Sequence, residues 1–279
     1  MFLFFLSAWK RPEITEICFM GLQRLCSKFH ATTLCVISED SMIPLCRKYG
    51  INWVFHKNEP LGEKKNVGLT HAMKMKWDYL IELGSDDLIK DEAMELYDDS
   101  EMQGIDHVAY INSETGECRN YVSNTSFGLG RKIRRDVVER LCKGVDVEAT
   151  TYIISPGRST PPGNTGFFPK DSAEAMEKQG MCKVISDEKY KLWKDTQMRG
   201  CDNQALYFLS KFGVKVERTH TENPLLIDIK SRENIWAFNP SLGQPYDMKS
   251  LMEGLSQDEQ SAICSLLKRN QCAEKQVVR

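Results

Sequence analysis

Two adjacent carboxylates follow a short apolar run in the first third of the chain. Residues 79–83 form the run, Gly84 and Ser85 end it, and Asp86 and Asp87 come next. A buried strand that ends this way delivers acidic groups to the carboxyl edge of an α/β sheet, where ligands bind. Carboxylate oxygens there suit a hard divalent cation, Mg²⁺ or Mn²⁺, and such a cation commonly bridges phosphates. The same two residues could instead cap a helix or occupy a solvated turn.

The composition narrows the class of protein. The 279 residues are 41% hydrophobic and 27% charged, which fits one large domain or two lobes that share a core. Because the net charge is −2, no overall basic field attracts nucleic acid, although a local basic patch could. The ten cysteines include no CxxC pair, which favours free thiols in a reducing compartment.

The apolar start of the chain favours a buried strand over a signal peptide. Residues 1–6 are apolar, but the run is short, has no positive residue before it and is followed by Lys10, Arg11 and Pro12. No segment has the length and apolar character of a membrane span. We therefore expect a cytoplasmic protein with no membrane partner.

The first half of the chain alternates strands and helices. Strands are predicted at 2–6, 32–37, 51–55 and 79–83, with helices between them. Pro12 fits the first turn of a helix, and Gly50 fits a helix end. This βαβαβαβ order predicts a parallel, doubly wound sheet. Its ligand edge would gather four segments, at 7–11, 38–40, 64–66 and 84–87.

The second half is less regular. Strands are predicted at 108–111, 118–122 and 214–218, and helices at 133–142 and 202–212. The stretch 155–168 is rich in Pro, Gly, Ser and Thr, which predicts a loop. The tail from residue 247 is predicted to be helical, and Ser256 with Glu259 has the pattern of a capping box at the start of its last helix.

The order of these motifs resembles that of a known enzyme fold. The chain presents a strand then Lys10-Arg11-Pro12, a strand then Ser38-Glu39-Asp40, a helix with Asn66-Val67-Gly68-Leu69, and a strand that ends in Gly84-Ser85-Asp86-Asp87. It is similar to the nucleotide-sugar-binding half of GT-A fold glycosyltransferases, especially the family-2-like enzymes. The resemblance covers residues 2–90 well, extends more loosely to about residue 240 and leaves out the tail.

The resemblance implies a fold and a division of the chain. The fold would be α/β, with a GT-A-like (Rossmann-like), mostly parallel sheet flanked by helices, a less regular acceptor-side half and a C-terminal helical tail. Residues 1–90 would form the nucleotide-sugar-binding half. Residues 91–240 would form the acceptor-binding and catalytic half of the same domain, and residues 241–279 the helical extension.

The acidic motif departs from the family pattern, because Gly84 stands where the family has its first acid. Asp86 and Asp87 remain to carry the acidic role. A cation held by one carboxylate, the diphosphate and waters is still reasonable chemistry. The resemblance implies a third metal ligand from a late histidine, for which His220 is the candidate, although His220 could equally be a surface histidine after a strand.

The resemblance also implies a group of residues around the donor. Residues after the first strand would hold the base and ribose, Glu39 or Asp40 would bind a uracil-like base or the ribose, and Lys64 or Lys65 would bind phosphate. Each has a purely structural alternative, such as a turn, a helix cap or a solvated charged face. The donor-binding set is Ser7, Trp9, Arg11, Glu39, Asp40, Lys64, Asn66, Ser85, Asp86 and Arg131.

Asp202 is the residue that we expect to be catalytic. It opens a predicted helix, where the inverting enzymes of the family have the acid that deprotonates the acceptor. A hydroxyl that attacks the anomeric carbon must lose a proton, and a positioned carboxylate can accept it. The cation meanwhile neutralises charge on the departing nucleoside diphosphate. Asp202 could also serve only as a helix N-cap.

The segment 131–135 carries the strongest local positive charge and is predicted to lie on a helix. Such a segment would suit a polyanionic acceptor, including DNA, or could simply face water. Lys230 or Arg232 could close over the diphosphate, or form a charge pair on a loop.

Together with these observations, the resemblance implies a Mn²⁺- or Mg²⁺-dependent glycosyltransferase that moves a sugar from a nucleoside diphosphate sugar, with UDP-sugars favoured, to a hydroxyl acceptor. The reaction inverts the anomeric centre if Asp202 is the base. Hydroxymethylated bases of DNA, as in bacteriophage genome modification, are one acceptor class, which would place the protein in the host cytoplasm.

Other functions remain open. Nucleotidyl transfer is one alternative, and the glycine-free first loop at 7–11 counts against it. A catalytically degenerate nucleotide-binding module is another, which Gly84 favours. A dinucleotide-binding oxidoreductase is disfavoured because no GxGxxG follows the first strand.

Overall fold

The first half of the chain is a regular alternation of strands and helices in the computed structural model, which describes residues 1–124, 127–142, 149–154, 165–180, 182–187, 213–234 and 237–277. The elements are β1 (Phe2–Ala8), α1 (Pro12–Lys28), β2 (Ala31–Ile37), a 3₁₀ turn (Asp40–Met42), α2 (Ile43–Tyr49), β3 (Trp53–Phe55), α3 (Leu61–Ala72) and β4 (Tyr79–Gly84). Pro12 is the first residue of α1, and Gly50, with φ 65°, ends α2. The predicted order of these elements is confirmed.

The second half adds shorter elements. They are β5 (Asp87–Ile89), α4 (Asp91–Glu95), β6 (Met102–Ile105), β7 (His107–Asn112), β8 (Cys118–Val122), β9 (Arg131–Arg134), α5 (Arg135–Cys142), β10 (Ala149–Ile154), β11 (Thr165–Pro169), α6 (Lys170–Lys178), β12 (Cys182–Asp187), β13 (Val216–Thr219), β14 (Leu226–Lys230), β15 (Gln244–Pro245), α7 (Met248–Met252) and α8 (Gln257–Val277). The predicted strand pair, β7 with β8, is antiparallel.

The strands form three sheets within these ranges. The largest has the order β13-β6-β9-β4-β1-β2-β3 and is parallel except at β9. A second sheet has the order β15-β8-β7-β14-β5, and β11-β10-β12 form a third. The fold is therefore α/β with a mostly parallel sheet flanked by helices, as predicted.

Both faces of the largest sheet are covered, because neighbouring side chains of β1 point to opposite sides. Phe5 packs on one side with Leu69 of α3 and Val137 of α5. Phe4 packs on the other side with Phe19 of α1. Since parallel strands end at the same edge, this packing fixes the carboxyl ends of β1, β2 and β4 next to one another.

The helical tail is part of the core. Ile263 and Leu266 of α8 pack with Ile17 of α1 and with the second sheet. The predicted capping box is confirmed: the Ser256 amide donates to Glu259 Oε2 at 2.8 Å, and the Glu259 amide donates to Ser256 Oγ at 3.3 Å. No described helix has an apolar stretch long enough to cross a bilayer.

Two local predictions are wrong. The helix expected at 133–142 begins at Arg135, because 131–134 form β9, a strand inserted between β4 and β6. Pairing with strands on both sides outweighs the helical spacing in that segment. The end of the loop expected at 155–168 is strand β11, which pairs with β10. The helix expected at 202–212 lies outside the described residues.

Candidate functional site

Three carboxylates converge at the junction of the two larger sheets. Asp86, Asp87 and Asp228 each offer an oxygen, and these oxygens all lie within 4.8 Å of one another. Asp87 begins β5, and Asp228 lies directly opposite it on the antiparallel strand β14. The three residues are 9%, 7% and 9% exposed. Sequence reasoning found Asp86 and Asp87 but missed Asp228.

Gly84 gives these carboxylates their space. A Cβ at position 84 would lie 2.6 Å from Asp86 Oδ1 and 3.0 Å from Asp87 Oδ2. The Gly84 amide also donates a hydrogen bond to Asp87 Oδ2. An acid at position 84 would therefore collide with the two that follow it, and the third carboxylate comes from β14 instead.

Asp86 is held by a cation and an amide. Arg11 Nη1 donates to Asp86 Oδ2 at 2.8 Å and to Asn234 Oδ1 at 2.7 Å. Asn234 Nδ2 also donates to Asp86 Oδ2, and the Ile229 amide donates to the Asp86 carbonyl at 2.9 Å. Arg11 Nη2 lies 3.4 Å from Ser85 Oγ. The predicted residues Arg11, Ser85 and Asp86 thus lie together, and Asn234 was not foreseen.

The turn that presents Arg11 has an unusual backbone. Lys10 and Arg11 have φ values of 56° and 52°, in the left-handed region that residues other than glycine rarely adopt. The Lys10 amide donates to Glu39 Oε2 at 3.2 Å, which ties the turn to the end of β2. Glu39, which was predicted to bind the nucleoside, thus holds the backbone next to Arg11.

Asp228 has one paired and one unpaired oxygen. Lys230 Nζ lies 2.5 Å from Oδ2, whereas Oδ1 is buried with no hydrogen-bond partner in the described part of the chain. Burial, then the charges of Asp228 and Asp86, raises the pKa of the Asp87 carboxyl. Burial also raises the pKa of Asp228, against the opposing effect of Lys230.

The donor set fits a hard divalent cation. All three side chains offer oxygen, the ligand that Mg²⁺ and Mn²⁺ prefer. Among the described residues, no donor reaches Asp228 Oδ1, which is a buried acceptor. A bound cation would also offset the repulsion between the carboxylates, which adds to the effect of burial in raising the pKa of Asp87 and of Asp228.

A second group of buried polar atoms lies along the same edge of the largest sheet. Ser7 Oγ, Ser38 Oγ and His56 Nε2, at the ends of β1, β2 and β3, have no hydrogen-bond partner among the described residues. His56 Nε2 lies 3.4 Å from the Glu63 carboxylate. Buried polar atoms are seldom left unsatisfied, so this edge is prepared for polar groups. Sequence reasoning named Ser7 but missed His56.

Lys64, predicted to bind phosphate, is instead buried at 1% exposure. Its Nζ donates to the Ala8 carbonyl at 2.7 Å and to Asn58 Oδ1 at 3.2 Å. Burial lowers the pKa of Lys64 to about 8. In this position Lys64 fastens the end of β1 to α3.

The other predicted donor residues have their own local surroundings. Trp9 stacks under Lys10, whose Nζ is 4.4 Å from the ring centre. Asp40 begins the 3₁₀ turn and is exposed. Asn66 accepts a hydrogen bond at its carbonyl from Thr70 Oγ1 at 3.0 Å.

The expected basic surface at 131–135 is not what the structure shows. Arg131 and Lys132 are fully buried in β9. Arg131 Nη1 lies 3.9 Å from Glu82 Oε2, and its three guanidinium nitrogens have no hydrogen-bond partner in the described ranges. Lys132 pairs with Asp98. Residues 131–134 form an interior strand, so two of the four positive charges of 131–135 do not reach solvent, whereas the Arg134 and Arg135 side chains are 37% and 30% exposed.

The structure does not bring His220 to the aspartates. His220 Nδ1 lies 3.1 Å from Asp106 Oδ2, and Asp106 also pairs with Arg218. Asp228 is opposite Tyr110 on β7, and the distance along the strand from Tyr110 back to Asp106 is roughly 13 Å.

The remaining predicted residues near the site have different surroundings. Asp202 lies outside the described residues. Arg232, which could have closed over a diphosphate, lies 3.5 Å from Glu114 and is exposed. Lys230, its alternative, contacts Asp228 at the candidate site.

No protein-family model and no curated protein match the chain. Among solved structures, TarS 1–349 of S. aureus in complex with UDP aligns at 12% identity over 82% of this chain and 60% of that chain, with a TM-score of 0.40. The mannosyltransferase PcManGT from Pyrobaculum calidifontis in complex with GDP-Man and Mn²⁺ aligns at 13% identity over 50% and 46%, with a TM-score of 0.34. The inositol-1-phosphate CTP transferase from T. maritima aligns at 9% identity over 95% of both chains, with a TM-score of 0.38.

All three alignments are distant, and the one with the mannosyltransferase covers only half of this chain. The chain spans 48% of TarS 1–349 in another alignment and 46% of the mannosyltransferase.

Proposed function

We propose that the chain is a divalent-cation-dependent glycosyltransferase that moves a sugar from a nucleoside diphosphate sugar, with UDP-sugars favoured, to a hydroxyl acceptor. The observation that supports this most directly is the convergence of Asp86, Asp87 and Asp228 just beyond the end of β4, where the two larger sheets meet, with Arg11 and Lys230 beside them. Three carboxylates suit a cation, and two basic side chains next to it suit the phosphates that such a cation binds.

Each residue has a defined task in this proposal. Asp86, Asp87 and Asp228 hold Mn²⁺ or Mg²⁺, which when bound neutralises charge on the leaving diphosphate. Arg11 and Lys230 bind phosphate oxygens.

Other residues complete the donor and acceptor ends. The unsatisfied atoms of Ser7, Ser38 and His56 receive the nucleoside. Asp202 accepts the proton of the attacking hydroxyl, so the sugar is transferred with inversion.

Nucleotidyl transfer is the second candidate, and one observation favours it. That reaction calls for a first loop with glycine-like freedom and a basic residue, and the sequence at 7–11 has no glycine. In the structure, Lys10 and Arg11 adopt the left-handed backbone that glycine usually supplies. The loop therefore has a glycine-like conformation with a basic residue at its end.

The donor site is tested by thermal unfolding with UDP, GDP, CDP and ADP and with their sugars, each with and without Mn²⁺ or Mg²⁺. A diphosphate at 100 times its Kd stabilises by about 2.7 kcal/mol, which raises the Tm by roughly 5–10 °C. We expect one diphosphate to give such a shift only with the cation. Asp228→Asn and Asp86→Asn should abolish it, whereas Asp99→Asn, at an exposed carboxylate, should not.

Products then separate the two reactions. Release of the diphosphate from its sugar supports glycosyl transfer, whereas release of pyrophosphate from a nucleoside triphosphate and a sugar 1-phosphate supports nucleotidyl transfer. Binding without either product indicates a nucleotide-binding module. No Tm shift with any nucleotide at concentrations on the order of millimolar would refute the donor site.

A further inference from the structure

We propose that Arg11 is an internal cation of the metal site and that it makes the binding of a divalent cation and of a nucleoside diphosphate cooperative. This inference rests on the proposed function and concerns the regulation of the same site. It predicts that the cation binds weakly to the free protein and tightly once a diphosphate has bound.

The first support is the placement of the guanidinium. Arg11 Nη1 donates to Asp86 Oδ2 at 2.8 Å, and the two side chains are only 15% and 12% exposed. The same nitrogen donates to Asn234 Oδ1, which also accepts from the Ser231 amide at 2.8 Å and Ser231 Oγ at 2.9 Å. Arg11 is thus held against a carboxylate that the cation would use.

The second support is the charge of the site. When ionised, the three aspartates carry three negative charges, and Arg11 and Lys230 already offset two of them. A divalent cation that binds alone must enter next to two positive groups. Because the site is largely buried, salt and water screen this repulsion poorly.

A diphosphate removes this obstacle. Its oxygens offer a guanidinium the bidentate acceptors that arginine binds best. If Arg11 turns to the diphosphate, Asp86 Oδ2 loses its arginine contact, keeps the Asn234 amide donor and becomes open to the cation. The negative charge of the diphosphate favours the cation further. By thermodynamic reciprocity, the cation then strengthens diphosphate binding by the same factor.

The test measures Mn²⁺ binding, not turnover. The electron paramagnetic resonance signal of free Mn²⁺ is followed during titration of the protein, without and with UDP or whichever diphosphate gives the largest Tm shift. A protein-free titration corrects for the Mn²⁺–nucleotide complex. For the wild-type protein we expect the diphosphate to lower the Kd for Mn²⁺ by about tenfold or more, within the usual range of such couplings.

Three variants test whether the effect on Mn²⁺ affinity comes from the positive charge at position 11. Arg11→Gln should bind Mn²⁺ without nucleotide at least about fivefold more tightly than the wild type, and its coupling should fall toward one. Arg11→Lys keeps the charge and should keep weak Mn²⁺ binding. Lys10→Gln removes a neighbouring charge that does not touch Asp86, so it should behave as the wild type.

The same titrations distinguish a failure of this inference from a failure of the proposed function. If Mn²⁺ and the diphosphate both bind but neither changes the affinity for the other, the inference is overturned by the wild-type protein alone, even where Arg11→Gln does not fold. Equal Mn²⁺ affinity of folded Arg11→Gln and wild type also overturns it. If neither ligand binds the wild type, the proposed function itself fails.

Discussion

Gly68 of α3 offers a direct test of how closely that helix approaches the sheet. A Cβ at position 68 would lie 2.3 Å from Val36 Cγ2 and 2.8 Å from Phe5 Cε2. Carbon atoms in contact normally stay about 3.5–4.0 Å apart. In Gly68→Ala, therefore, α3 must move away from the sheet by on the order of 1 Å, or the side chains below it must leave their preferred rotamers.

The expected magnitude follows from two opposing terms. Overpacking of a core costs about 1–3 kcal/mol, and a contact of 2.3 Å puts Gly68→Ala in the upper half of that range, at about 2–3 kcal/mol, whereas alanine in place of glycine inside a helix returns about 1 kcal/mol. We expect Gly68→Ala to lower the free energy of unfolding by about 1–2 kcal/mol, which corresponds to a Tm lower by roughly 2–8 °C. Because α3 also carries Lys64, which fastens the end of β1, the affinity for a diphosphate should fall as well.

Urea unfolding followed by circular dichroism measures this change. Thr70→Ala is the matched control, because Thr70 is exposed on the same helix and loses only its bond to the Asn66 carbonyl. Val36→Ala removes the methyl group that the new Cβ would meet. The double variant with Gly68→Ala should therefore be less destabilised than the sum of the two single variants. A Gly68→Ala protein as stable as the wild type, or more stable, would refute the close approach.

Two further predictions concern buried charge. Glu82→Gln removes the carboxylate that Lys65 and Arg131 face in the interior, and urea unfolding should show a loss of about 3–5 kcal/mol. Folding lowers the pKa of Lys64 from 10.5 to about 8. Because the unfolded chain then binds this proton more tightly than the folded protein does, Lys64 destabilises the fold most below pH 8. The free energy of unfolding of the wild type should therefore rise by up to roughly 3 kcal/mol between pH 8 and pH 10.5 because of this residue. Urea titrations at the two pH values measure the rise, and Lys64→Met should not show it. An equal pH dependence in the two proteins would contradict the burial of the ammonium.

Much of the first half could be predicted because its signals are local. The apolar runs of β1, β2 and β4 are separated by helices whose ends are marked by Pro12 and Gly50. Given a parallel sheet, the rule that strands end at a common edge was enough to place Arg11 near Asp86. The order of the elements along the chain and the backbone preferences of proline and glycine were therefore sufficient for these predictions.

Strand β9 and the position of Asp228 could not be predicted, because both depend on pairing between segments that are distant in the sequence. Residues 131–134 have no strand periodicity that distinguishes them, and their charges suggested an exposed helix. Only the neighbours on both sides, β4 and β6, make them an interior strand. Asp228 has the same difficulty: its segment alternates apolar and charged residues, but a one-residue change of register against β5 would turn its carboxylate away from Asp87.

The glycine in the acidic motif shows how a local reading and the folded structure can lead to opposite conclusions. Read along the chain, Gly84 looks like a lost metal ligand and favours a degenerate site. In three dimensions, the Asp86 and Asp87 side chains fill the space that a side chain at 84 would need, and the Gly84 amide binds Asp87. Asp228 supplies a third carboxylate from β14. Gly84 therefore does not count against a cation site, because a side chain at that position would displace the two aspartates that follow it.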